Sequence, residues 1–572
     1  MTRPAAEIGR GLAPARPARP IRPGERIHVV GAAGAGASAA AILAARAGAS
    51  VTACDRSADS PYVPAIEAAG IRVLEGHAAW HVTGDVIARG TEPGLPPRPS
   101  PAAPRGTGVA PVDRLAVTKA LTSIDPDNPE LLAARAAGIP VEPWQQVVAD
   151  VAASGAARLV GVAGTHGKST STGWLVELLW RAGRDPGAFV GALLPASLAG
   201  GVPSTARWGA GPEFVVEADE YAGNFDPYRP SLAVLLNAEW DHPDVFADED
   251  AVVAAFEGWI RRMAGADAPA LPAGAAGVRT DAAGARTDAA DAPILVVNAG
   301  DPGARRVAER LAGWCGRMIA VALEPAALPA LATASGPAAV VMARVAGADP
   351  DGTTLEVSGL AALSALSAPP PAPGGDGRPL VARLALPGRH NAQDALCVAA
   401  AAAALGVPVD AIVEGLAAFR GVGRRLELKG EARGVVVLDD YAHHPTAIAE
   451  TLAAARQRYP GRRLWAVYEP LTYHRTAALL DRFADVLATR ADAVAIAEIW
   501  AGRDPDTTIA SAEGLAAAVR ARGGADASAP GTVIATADWL ATRVRPGDVV
   551  LVMGGGHSYR IAERLLETLR SA

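Results

Sequence analysis

Lysine is nearly absent. Of 53 lysines and arginines in 572 residues, only Lys119, Lys168 and Lys429 are lysines, and arginine stands everywhere else a cation is wanted. The bias carries no function by itself, but it makes each lysine a position to explain. Cysteine is scarce too. Cys54, Cys315 and Cys397 lie far apart and form no CxxC pair, which argues against a zinc ribbon or a disulfide framework and fits a reducing cytosol. No basic run stands out and the net charge is −7, so a nucleic-acid partner is not expected. The longest apolar run, ALCVAAAAAALGVPV at 395–409, falls short of the roughly 20 residues that span a membrane. It is rich in alanine and broken by glycine and proline, so it reads as a buried helix of a soluble protein. Residues 1–24 are rich in proline and arginine without an apolar h-region; they read as a loose tail, not a signal peptide.

Half of the residues are apolar and 20% are charged, a globular balance at a length that implies two to four domains. From residue 26 the chain follows βαβ grammar: RIHVV a strand, 37–48 a helix, SVTACD a second strand. LVGVAG at 159–164 opens a new strand–loop–helix, and FVVEAD, LAVLLN and ILVVNAG continue a second sheet. After 421 a third series begins with GVVVLDD, a helix from about 445, RLWAVYE, AVAIAE and DVVLVMGGG with a closing helix. Low-complexity stretches at 88–111, 264–292 and 366–379 read as surface expansions; the second holds a near-duplicated heptapeptide starting at Arg279 and Arg286. The expected fold class is α/β, with three consecutive α/β domains: 25–157 Rossmann-like, 158–421 a phosphate-loop ATPase, and 422–572 Rossmann-like.

Lys168 sits in GVAGTHGKSTSTGW, 161–174. A strand running into GTHGKST and then a helix makes a phosphate cradle. Gly164 and Gly167 let backbone N–H groups approach phosphate oxygens, and the helix N-terminus adds positive potential. The Lys168 ammonium can reach the terminal phosphates, and the Ser169 hydroxyl can ligate Mg²⁺. A guanidinium is bulkier and less adaptable in such a loop. The strict GxxxxGK[ST] spacing is missed by one residue, because Gly161 lies six positions before Gly167. Lys119 and Lys429 read as surface or domain-joint residues. The first loop places Gly31, Gly34 and Gly36 in a GxxGxG spacing, with Ala33 where dinucleotide folds carry their middle glycine and Asp55 ending the next strand; a nicotinamide site is weakly signalled.

AGTHGKSTST resembles the ATP loop of the Mur ligases, the amide ligases of peptidoglycan synthesis. EADEY (217–221), NAEWDH (237–242), LPGRHNA (386–392), GVGRRLE (421–427), DDYAHHPTAI (439–448) and EPLTYHRT (469–476) follow in the family's order. IHVVGAAGAGAS (27–38) resembles the first domain of the branch that joins L-alanine to UDP-N-acetylmuramate.

The resemblance implies a set of roles. Gly164, Thr165, His166, Gly167, Lys168, Ser169 and Thr170 would hold ATP, with His390 and Asn391 at the adenine and Arg424 (or its neighbour Arg425) and Asp439 reaching the nucleotide from the third domain. Ser169 and Glu217 would hold Mg²⁺ beside the γ-phosphate, and His242 a second Mg²⁺. Asp219 and Glu220 end the same apolar strand. Gly31, Gly34, Gly36, Ser38 and Asp55 would hold the diphosphate and sugar of UDP-N-acetylmuramate. Tyr441, His443, His444 and Arg475 would sit near the acceptor amino acid, although a His pair before Pro445 serves equally as cap and packing. The alanine branch reads roughly HRYTR where this chain has LTYHR, so Thr472 departs from the pattern while Arg475 is kept; in the closing loop GGGHSYRIA (554–562), His557 stands where the family usually has an acidic residue or amide. No lysine lies between 168 and 429, which excludes the carbamylated lysine of several sister ligases.

The expected activity is acyl-phosphate ligation of L-alanine to UDP-N-acetylmuramate in the cytoplasm, with no nucleic-acid or membrane partner, by a monomer or weak homodimer. Three alternatives stay open: a ligase adding a tripeptide to the same sugar nucleotide, an NAD-dependent oxidoreductase, and a binding protein that keeps the fold without turnover.

Overall fold

A computed structural model describes residues 8–84, 111–264, 292–326, 328–364, 379–502, 504 and 506–571, together with two short paired segments at 279–280 and 286–287. The low-complexity stretches at 88–111, 264–292 and 366–379 lie almost wholly outside the described residues. The two copies of the heptapeptide pair antiparallel through Arg279 and Thr287.

The α/β expectation holds in three large sheets, beside two two-stranded pairs among the described residues. The first is parallel, in the order Val73–Glu75, Ser50–Asp55, Arg26–Val30, Arg114–Val117, Val141–Pro143. The order reverses beside Arg26–Val30, the first strand. The loop after it therefore opens at a switch point, where an α/β sheet binds its ligands. Small residues in the helix Ala35–Arg46 are what let it lie close against this sheet and its neighbour. A Cβ at Gly36 would stand 2.1 Å from the Trp144 indole.

The second sheet has ten strands. Arg158–Ala163 lies inside it, flanked in parallel by Glu213–Ala218 and Leu232–Leu235. Buried on both faces, these strands read as near-continuous Val, Leu and Ala runs. Antiparallel strands (Ser204–Arg207, Gly352–Ser358, Leu380–Leu384) close its two ends. The alanine-rich run forms the helix Arg389–Ala404, buried against the helix Lys168–Arg181. Among the described residues no helix is long and apolar enough to cross a membrane. The third sheet, of six strands, starts at Glu427 and ends at Gly554, with only Glu427–Ala432 antiparallel.

The loose tail is corrected for residues 8–24. Ile8 and Ile21 are buried. Ala13 donates its N–H to the Val141 carbonyl at 2.8 Å, and Ile21 to Ser154 Oγ at 2.8 Å. Arg16 bridges Glu142 (2.8 Å) and Asp150 (2.6 Å), while Arg19 pairs with Glu25 (2.5 Å). These carboxylates are buried and already shared by Arg114, which pairs with Glu142 at 2.9 Å and Asp150 at 2.5 Å. The segment's arginines thus neutralise acids that one guanidinium cannot, and its low-complexity composition hid that use. Deleting residues 1–20 should therefore destabilise the protein by about 3 kcal/mol through unpaired buried carboxylates. Urea unfolding checks this; an unchanged midpoint would restore the loose-tail reading.

Candidate active site

The strand Arg158–Ala163 runs into Gly164, at φ +145°, and the helix Lys168–Arg181 begins after Gly167, at φ +82°. Both angles lie in the region that favours glycine. At Gly167 an added Cβ would also approach Asp394 Oδ2 at 2.4 Å. No side chain caps this helix, so its first N–H groups face the cavity as a ready anion site. The loop is clasped from the neighbouring strand end. His166 N–H donates to Asn237 Oδ1 at 2.8 Å, Asn237 Nδ2 to the His166 carbonyl at 3.0 Å, and Thr165 Oγ1 to the Glu239 carbonyl at 3.0 Å.

Lys168 Nζ donates to the Gly164 carbonyl at 2.6 Å and to Glu220 Oε2 at 3.0 Å, with Asp219 Oδ1 at 3.7 Å. Burial alone would lower the ammonium's pKa. The carboxylates of Glu220, Asp219 and Glu217 outweigh it and hold the group charged above its ordinary range. Burial pushes Glu220 up to about 7 against the pull of Lys168, with Asp219 crowding the same site. Ser169 Oγ donates to Glu217 Oε1 at 3.1 Å, and Gly191 N–H donates to Glu217 Oε2 at 2.6 Å. His242, left-handed at φ +54°, brings its imidazole to within 3.9 Å of Glu220. One donor atom each from Asp219, Glu220 and His242 fall within 4.8 Å of one another. Glu217, which holds Ser169, and His242, assigned to two different Mg²⁺ ions by the sequence reading, lie in two separate donor sets, and Asp219 and Glu220 join His242.

The third unit closes over this floor. Arg425 donates from Nη2 to Ser169 Oγ at 3.2 Å. Glu239 accepts from Thr446 Oγ1 at 2.8 Å and Arg482 Nη2 at 2.5 Å, while its other oxygen lies 3.2 Å from His166 Nε2. Arg475 Nε donates to Asp241 Oδ1 at 2.7 Å, with Nη2 on His242 Nδ1 at 3.2 Å and Nη1 on the Leu471 carbonyl at 2.8 Å. Arg560 reaches the first unit at Asp59, 2.6 Å away. The result is a cavity of about 660 Å³ lined from all three units: Gly36 and Trp144, the 165–170 loop, Glu217, Asp219 and His242, His390 and Asn391, then Arg425, Tyr441, His443 and Arg475.

Several expected residues fall elsewhere. Arg424 and Asp439 do not line the cavity; they pair with each other at 3.1 Å, and Arg424 also donates to the Gly554 carbonyl and Ser558. Arg425 and Asp440 line it in their place. The cause is local. Arg424 and Leu426 are left-handed, their N–H groups held by Glu427 and Asp440, so the two adjacent guanidinium groups part. His444 is fully buried and accepts from Thr446 N–H at 3.3 Å, capping the helix Pro445–Arg458; the cap reading prevails over acceptor contact. Ser38 Oγ is spent on the Ala35 carbonyl and on Thr205 Oγ1 of the central sheet. Asp55 accepts from Ala33 N–H at 2.9 Å, so it fixes its own loop. Gly31 and Gly34 shape that loop outside the cavity lining. Lys119 is a domain-joint residue, donating to the Ala222 carbonyl at 2.7 Å. Lys429 lies 3.4 Å from Glu427 within the third unit.

Residues 26–155 match the Mur ligase family catalytic domain, and 424–556 the Mur ligase glutamate ligase domain. The chain is 34% identical to the UDP-N-acetylmuramate–L-alanine ligase of Roseiflexus sp. (strain RS-1), covering 95% of this chain and 99% of that protein. It is likewise 34% identical to the enzyme of that name from Mycobacterium avium (strain 104), with 96% of each covered. The chain belongs to the Mur ligase family. Its fold agrees. The Thermotoga maritima UDP-N-acetylmuramate–alanine ligase superposes with a TM-score of 0.67 at 20% identity, over 96% of this chain and 99% of that one. A murein peptide ligase from Psychrobacter arcticus gives 0.63 at 23% identity, over the same shares. As a Mur ligase the protein is an ATP-dependent ligase.

Asp394 was missed by the sequence reading. It stands beside Gly167, and burial pushes its pKa up to about 7. Its charged form, present above that pH, sets a negative charge against bound phosphate. KM for ATP should therefore rise as pH increases through about 7, and Asp394→Asn should flatten that rise. A wild-type KM that stays level or falls across this range would refute it.

Proposed function

We propose that this protein joins L-alanine to the lactyl carboxylate of UDP-N-acetylmuramate at the expense of ATP. The observation carrying this reading is the meeting of Lys168, Glu217, His443 and Arg475 from two units in one cavity. The full-length identity to relatives named for that reaction supports it.

ATP would lie with its phosphates on the N-terminus of the helix Lys168–Arg181 and its adenine toward His390 and Asn391. The sugar nucleotide's carboxylate attacks the γ-phosphorus, ADP leaves, and an acyl phosphate forms. Lys168 and Arg425 offset the charge that builds on the phosphoryl oxygens. The acceptor amine then attacks the acyl carbon and phosphate departs. His443 donates from Nδ1 to the Tyr441 carbonyl at 2.8 Å, which leaves Nε2 with its lone pair. Burial, aided by the Arg475 charge, holds its pKa well below the ordinary histidine value, so the ring stays neutral and Nε2 can accept a hydrogen bond from the acceptor amine and orient it. Closure of the third unit keeps water from the acyl phosphate.

The donor sets suit Mg²⁺. Ser169 Oγ and Glu217 offer hard oxygens on one side, and Asp219 and Glu220 do so on the other, with an imidazole nitrogen from His242. Bound there, Mg²⁺ would draw charge from the phosphate oxygens. His242 would hold the cation through Nε2 only with its proton on Nδ1, a tautomer that would not accept the Arg475 contact at Nδ1. Opening that contact would release only Nη2 of Arg475, with Nε still on Asp241, to donate to the acceptor's carboxylate.

Phosphate release with ATP, UDP-N-acetylmuramate and a panel of L-alanine, glycine, L-serine and a murein tripeptide tests the reading. L-Alanine should give the highest kcat/KM; a higher value for the tripeptide would reassign the acceptor. Lys168→Ala should lower kcat by about 1,000-fold, and near-normal turnover would defeat the mechanism.

A further inference from the structure

A second group of chemically active side chains lies inside the first unit, and none of its members lines the cavity. His28 comes from the strand Arg26–Val30, Cys54 from Ser50–Asp55, His81 from the short helix Trp80–Thr83 and Glu130 from the helix Pro129–Ala136. All four are buried, and one donor atom of each lies within 4.8 Å of the others. His28 Nε2 is 3.3 Å from Cys54 Sγ and 3.6 Å from Glu130 Oε1. Glu130 Oε1 is 3.0 Å from Cys54 Sγ and 2.5 Å from His81 Nδ1.

A tetrahedral zinc ion with bonds of about 2.0–2.3 Å sets its ligand atoms about 3.3–3.8 Å apart. Two of these separations already have that value, and the other two reach it by movements of less than about an ångström. The outer contacts are of the kind that orient metal ligands. His28 Nδ1 lies 2.7 Å from Thr52 Oγ1, which turns Nε2 inward, and His77 Nδ1 lies 3.0 Å from the second oxygen of Glu130. The donors sit in a small core with Val30, Val82, Leu115 and Leu131. Thiolate and imidazole favour zinc over magnesium.

We propose that His28, Cys54, His81 and Glu130 form a structural zinc site tying two strands and two helices of the first unit together. Four protein ligands close the coordination shell, so the site has no position for a reacting water and takes no part in ligation.

The test uses the full-length protein. After growth with zinc and dialysis against magnesium-containing buffer, elemental analysis should find about one zinc per chain. Cys54→Ala, shown to be folded by circular dichroism, should keep about tenfold less. Protein from cobalt-supplemented growth should show a thiolate-to-cobalt charge-transfer band. His81→Gln should alter its visible d–d bands while leaving the charge-transfer band. The wild-type cobalt spectrum decides alone if the variants do not fold, because Cys315 and Cys397 belong to no such donor group among the described residues. Substoichiometric zinc without a charge-transfer band would reduce the cluster to a hydrogen-bonded core. Unchanged zinc in folded Cys54→Ala would also overturn the proposal.

Discussion

One desolvated ammonium organises the site. Lys168 Nζ rests between the Gly164 carbonyl and Glu220, at the junction where a buried strand becomes a helix. A buried cation is costly unless it is paired, and here Glu220 and Asp219 supply the pairing that polyphosphate would otherwise bring. The loop must therefore keep its shape whether or not nucleotide is bound. Gly164 and Gly167 supply the backbone angles, and Asn237 and Glu239 clasp the loop from the adjacent strand end. The acids that hold the lysine also border the donor set with His242, so cation and carboxylates form a single electrostatic unit.

The third unit is joined to this floor by charge as well as by packing. Arg475 on Asp241, Arg482 and Thr446 on Glu239, and Arg425 on Ser169 all cross the same boundary. Each central partner lies within a few residues of a group that the proposed mechanism uses. Glu239 is held well below the usual carboxylate range: burial opposes this, but His166, His444 and Arg482 outweigh it. Closing the third unit and shaping the phosphate loop are thus coupled through shared side chains, as an intermediate sensitive to water requires.

The first unit is stabilised by buried charge to an unusual degree. Glu25, Glu142 and Asp150 share Arg16, Arg19 and Arg114, and Glu130 gathers three imidazoles and a thiol. Arg16 and Arg19 add cations to Glu25, Glu142 and Asp150 beyond the one that Arg114 supplies. That is why a segment of tail-like composition is folded onto the sheet.

The sequence alone determined the α/β class, the three strand–helix series and the central loop, because these rest on local signals: apolar periodicity, glycines at forced backbone angles, and a lysine at a strand–helix joint. Glu217, His242, His443 and Arg475 were legible as members of ordered motifs and do line the cavity. Tertiary structure alone decided which of two neighbours faces it. Arg425 does and Arg424 does not, Asp440 does and Asp439 does not, and His443 does while His444 caps a helix. Adjacent residues on a strand or a left-handed turn point to opposite sides, and motif matching cannot resolve a difference of one residue. It also could not see Asp394, Glu239 or the burial of residues 8–24, because those depend on partners far away in the chain, brought near only by folding.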